Sequence, residues 1–128
     1  MCEVCKGKTY LVPSGEVLHL FVVLTNKCNN HMHMLVPLCS IRPPRRYDNT
    51  CVITVDEKAH PFIRHDSYIK YAQMQVRHVN VIKRYIENGS YIEREDIDVA
   101  VFERVCEGVN GSPHIPRGIR KQFNEWPD

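Results

Sequence analysis

Apolar residues fall in short blocks along most of the chain, and only one late stretch repeats at helical spacing. Residues 8–12 carry β-prone Thr, Tyr and Val and stop at the turn signal Pro13-Ser14-Gly15. Residues 17–24 form a near-continuous apolar run with β-branched members and predict a buried central strand. Residues 32–38 predict a third strand, in which Pro37 points to an edge or a bulge. Residues 51–55 predict a short fourth strand. Residues 67–81 alternate moderately and read as one or two more, and Asn88-Gly89 reads as a type I′ hairpin between Tyr85-Ile86 and Tyr91-Ile92.

The helical stretch spans about 94–107. Ile97, Val101 and Val105, with Phe102 and Cys106, recur at helical spacing, acidic residues crowd the first turn, and Gly108 would close it as a C′ residue. From Asn110 on, Pro113, Pro116, Gly111 and Gly118 predict an extended or poorly ordered tail. Five to seven short strands and one late helix predict a mainly β (β-rich α+β) fold: a small barrel over 1–109 and a tail over 110–128.

Composition adds little to that picture. Of 128 residues, 43% are apolar and 25% charged, which fits one globular domain and argues against disorder. No apolar run approaches the ~20 residues that cross a bilayer, and the first residues lack a signal peptide's apolar stretch, so a soluble, cytoplasmic chain with no membrane role is expected.

Charge and cysteine change it more. The net charge is only +2, yet residues 40–84 hold nine Lys/Arg against four Asp/Glu, and residues 85–108 hold two against seven. Such asymmetry concerns partners or, equally, two solvated faces. The six cysteines are expected reduced. Cys2-x-x-Cys5 has metal or redox potential without a second close pair, while His31-x-His33 near Cys28 leaves a mixed site open; no metal is expected.

Several stretches in order resemble the MazF/PemK toxin superfamily, whose SH3-like barrel is shared with CcdB. They are Gly7-Lys8-Thr9-Tyr10-Leu11-Val12-Pro13, the strand 18–26, Met34-Leu35-Val36-Pro37-Leu38-Cys39-Ser40, His65-Asp66-Ser67-Tyr68-Ile69, and Val79-Asn80-Val81-Ile82-Lys83. The late helix matches in place. The resemblance implies a metal-independent, sequence-selective endoribonuclease without cofactor, a homodimer, and an acidic antitoxin protein as partner. Its catalytic Arg and Thr/Ser carry over onto His19 and Ser40. Histidine in place of arginine gives up a permanent charge but gains the ability to act as a base on a ribose 2′-hydroxyl.

With His19 and Ser40, the residues His60, His65 and Asp66 supply types suited to acid, base and orienting roles. That convergence requires His19 and Ser40 to lie on the same side of the barrel. Arg42, Arg45, Arg46 and Arg64 suit phosphate, and Phe62 and Tyr68 suit base stacking, so single-stranded RNA is the implied substrate. The bland reading stands beside each: His19 as a satisfied strand imidazole, Phe62 and Ile63 as a plug, Asp66 and Ser67 as turn formers. Asp48, Cys51 and His60 invite a nucleophilic-cysteine reading, against which a strand-buried thiol is usually inert. The alternative function is a non-catalytic module of the same fold that binds a protein or nucleic acid.

Overall fold

The computed structural model describes residues 4–28, 30–43 and 45–127. Strand β1 (Thr9–Ser14) turns at Gly15, whose φ of +66° suits a residue without Cβ, into β2 (Val17–Val23). The two pair antiparallel from Thr9↔Val22 to Ser14↔Val17. Strand β3 (Met32–Ser40) pairs with β2 on one side. On its other side it pairs first with β6 (Gln75–His78) and then with β5 (Ser67–Ile69). The short β4 (Val52–Ile53) lies beyond β5, and β7 (Ile92–Arg94) lies beyond β1.

The fold is thus the expected β-rich α+β class, with one correction. The seven-stranded sheet runs β4-β5-β3-β2-β1-β7 and does not close into a barrel.

Pro37 is a second correction, since it stands in the central strand and not at an edge. Its missing N–H falls where β6 pairing ends at Leu35 and β5 pairing begins at Leu38, so no ladder bond is lost on that side. Its carbonyl accepts from Lys70 N at 2.9 Å.

Residues 79–87, expected as strand and hairpin arm, form helix α1 (Val79–Glu87). The side chain of His78 caps it by accepting from Asn80 N at 3.0 Å, and Val79 and Ile82 are buried one turn apart. A β-branched run misleads here because packing overrides propensity. Asn88-Gly89 is the end of this helix, with Gly89 at φ +84°, and Tyr91 N returns to Tyr85 O at 2.9 Å.

Alternation of side chains divides the core into two layers. Val22, Val36, Leu38 and Ile69 face one way, against Val101, Val105 and Val109 of helix α2 (Val99–Gly111). Phe21, Val23 and Leu35 face the other way, against Val79 and Ile82 of α1. Each fully buried Val, Leu or Ile contributes about 1.5–3 kcal/mol. Asp98 caps α2 by accepting from Val101 N at 3.1 Å, so the helix begins at Val99, five residues later than the sequence places it, and Glu95 and Asp96 precede it instead of filling its first turn.

The tail is also corrected. Helix α3 (Ile119–Asn124) sits in it, and Ile115, Ile119, Phe123 and Trp126 pack on the larger core layer. Trp126 Nε1 donates to Asn26 O at 2.8 Å, a hundred residues away in sequence. Among the described residues no helix is long and apolar enough to cross a membrane.

Candidate nucleic-acid interface

Strands β2 and β3 stop pairing at Leu20↔Leu38, and beyond that point the sheet end opens into a cleft of about 970 Å³. Three segments build its walls: the first half of β2, the end of β3 with the loop after it, and residues 61–68, a loop leading into the start of β5. The loop after β3 turns at Pro43, with Arg45 N donating to Arg42 O at 3.2 Å, which sends the exposed Arg42 and Arg45 along the rim. Residues 61–68 bring Phe62, Arg64 and His65 to the opposite wall.

Of the residues singled out from sequence, His19, Ser40, Arg42, Arg45, Phe62, Arg64, His65 and Tyr68 all line this cleft. Lys70 and Arg94 line it too and are invisible to sequence reasoning. Lys70 arrives through the β3–β5 pairing, and Arg94 through β7 pairing with β1. Arg94 holds Glu95 at 3.1 Å, and its guanidinium lies 5.8 Å from the Phe62 ring centre. No Asp or Glu is among the described lining residues, so four cations besides Arg94 face the cleft without a carboxylate in its wall.

Three expected residues fall elsewhere. His60 is buried, 3% exposed, with Nε2 at 2.9 Å from Thr9 Oγ1 and 2.8 Å from Glu95 O, while Nδ1 accepts from Phe62 N at 3.0 Å. These contacts fix the neutral ring with its proton on Nε2, and burial pushes its pKa below the usual histidine value. It ties β1 to the cleft loop and does not face the cavity. Asp66 Oδ1 accepts from Val55 N at 2.9 Å and its carbonyl accepts from Ile41 N at 2.9 Å, so it shapes the turn. Arg46 is exposed outside the cleft.

Of the five residues expected to converge, the cleft gathers His19, Ser40 and His65 in its lining and leaves out His60 and Asp66, and strand register sets His19 and Ser40 on different faces of the sheet. His19 and Leu20 are neighbours on β2, and Leu20 pairs with Leu38, which shares a face with Ser40. Alternation therefore sets Ser40 and Ser67 on one face of the sheet and His19 with Cys39, Tyr68 and Lys70 on the other. Burial, and then the charge of Lys70, lower the His19 pKa and favour its neutral form. Cys39 is pushed up by burial, as is Tyr68 beside it.

The nucleophilic-cysteine reading is corrected as well. Cys51 is buried, and that burial raises its pKa. Asp48 bonds Thr50 and Ser112, and His60 is held by Thr9 and Glu95, so the three do not meet.

Compared with protein-family models, curated proteins and solved structures, the chain matches none.

Proposed function

We propose that the cleft binds single-stranded RNA, as the nucleic-acid-binding module of a MazF/PemK-like toxin. The observation that carries this is the lining itself: Arg42, Arg45, Arg64 and Lys70 without a carboxylate, interleaved with Phe62 and Tyr68. Guanidinium forks match phosphate oxygens, and aromatic faces stack on unpaired bases whatever their sequence. The same surface suits an acidic antitoxin segment, which would compete with RNA. A homodimer is the assembly that the family resemblance suggests.

A second reading, RNA cleavage, is favoured by His19. A neutral imidazole in the cleft beside Lys70 is able to take the proton of a 2′-hydroxyl while the cation stabilises charge growing on phosphate. Ser40, across the sheet, is outside this pair and serves as cleft wall.

The test is a long single-stranded RNA incubated with the chain and with His19→Ala, Ser40→Ala and Arg42→Ala/Arg45→Ala. Retention of RNA by all but the arginine variant supports the binding module. Discrete cleavage lost in His19→Ala alone adds the enzyme. Cleavage lost equally in Ser40→Ala would restore the paired mechanism, and no retention by any version would refute the proposal.

A further inference from the structure

Directly paired residues point to the same side of a sheet, and strand register therefore carries the cleft wall further along one face. His19 pairs with Val12, and Phe21, two residues on from His19, pairs with Tyr10 and Pro37. Gln75 pairs with Leu35, two residues back from Pro37, and Arg77 pairs with His33. All of these share the face that bears His19, Cys39, Tyr68 and Lys70. Helix α1 packs on the part of this face that holds Val23 and Leu35.

Beside the cleft, this face holds a second hollow of about 480 Å³, within the range of ligand pockets. Its lining includes Val12, Phe21, Gln75, Arg77, Tyr85 and Tyr91. The two hollows adjoin. Val12 of the second stands opposite His19 of the first, and Phe21 lies two residues, about 7 Å, from His19 along β2. Lys70 lines the first and Gln73, three residues on, lines the second.

Tyr85 and Tyr91 are stacked, with ring centres 5.1 Å apart and planes at 29°. Tyr91 also meets Tyr10 at 6.3 Å, and burial raises its pKa, which keeps it a neutral phenol. Tyr85 is 37% exposed and leaves ring surface open to solvent. The exposed Arg77 bonds the Tyr91 hydroxyl and, through Nη1, the carbonyl of Val76 at 3.0 Å. A guanidinium has five N–H groups, so donors remain for a phosphate, and the amides of Gln73 and Gln75 offer both donor and acceptor to a base edge. No Asp or Glu is among the described lining residues, as in the cleft. An acidic peptide would use the cation alone, whereas a nucleotide uses cation, amides and ring together. On the footing that the cleft holds single-stranded RNA, we infer that the same strand continues across this face into the second hollow, where a base stacks on Tyr85 and a phosphate meets Arg77.

A labelled oligouridine of about 12 nucleotides, within the site sizes of single-strand-binding domains, is titrated with the full chain. Versions carrying one 4-thiouridine at successive positions are then photo-crosslinked to it. Crosslinks are expected on the tryptic peptide 85–94, which carries Tyr85 and Tyr91, and on the peptide 65–70, which carries Tyr68, from different positions in the strand. Tyr85→Ala should weaken binding at least ~10-fold with its salt slope unchanged, because stacking releases no counterions. Arg77→Ala should flatten the slope by about 0.7, the loss of one phosphate contact. The wild-type crosslinks decide the matter where a variant fails to fold. Crosslinks on 65–70 alone, with Tyr85→Ala and Arg77→Ala binding as the wild type does, overturn the continuation and leave the cleft reading standing. Crosslinks on 85–94 alone, or no binding at all, overturn the cleft reading and the continuous path with it.

Discussion

The hydroxyl of Tyr71 occupies the space that a side chain at Gly108 would fill. A Cβ at Gly108 would lie 1.9 Å from Tyr71 Oη, which donates to the carbonyl of Val105 at 2.7 Å, one turn earlier on α2. Glycine is thus needed at 108 for close approach of helix and ring, not for a helix end. Burial pushes the Tyr71 hydroxyl far above its ordinary pKa, so it remains a donor throughout the pH range in which the chain is handled.

Gly108→Ala is expected to destabilise the chain by about 1–3 kcal/mol, because a methyl forces the ring or the helix away. Tyr71→Phe removes one buried hydrogen bond and should cost about 1 kcal/mol. In Tyr71→Phe the added alanine should cost less than in the wild type, since the phenol oxygen is gone. Urea unfolding of both single variants and the double one measures that coupling.

Stability should fall on acidification. His60 has its folded pKa lowered, so the unfolded chain takes up a proton first. The stabilisation is complete above about pH 6.5, the unfolded value, and is lost as pH falls below it towards the folded value. His19 acts with the same sign. Protonation of His60 would also break the Phe62 N–H bond to Nδ1 and loosen the cleft loop. The urea midpoint measured from pH 8 to pH 5 should decline less steeply in His60→Gln than in the wild type.

The C-terminal segment is expected to be structural. Trp126→Ala removes ring packing and the bond to Asn26 O, and should cost about 2 kcal/mol. A chain ending at residue 112 should unfold at markedly lower temperature, because Ile115, Ile119 and Phe123 leave the core together. Differential scanning calorimetry distinguishes this from a dispensable tail, whose loss would leave the transition in place.

Strand identity was legible wherever apolar residues ran in β-branched blocks bounded by turn residues, as in β1, β2 and β3. Helix α1 was hidden because Val79, Val81 and Ile82 carry a strand-like composition and only the cap by His78 and tertiary packing turn them. The last helix was hidden by prolines and glycines that in fact precede it, Gly118 at φ +83° being its N-cap. In the cleft, residue types pointed to eight of the lining residues, since arginine and aromatic loops advertise their chemistry locally. Lys70 and Arg94 come from pairings of distant strands, which composition does not encode. The face of the sheet on which His19 and Ser40 lie depends on register, one residue of which reverses the answer.

The most direct measurement is fluorescence anisotropy of a labelled single-stranded RNA titrated with the chain across a range of salt. The account predicts saturable binding whose log K falls with log salt by about 0.7 for each phosphate held. Combined Arg42→Ala, Arg45→Ala and Arg64→Ala substitutions should flatten that slope by about 2. Binding absent at low salt, or equally strong and equally salt-dependent in the triple variant, would contradict it.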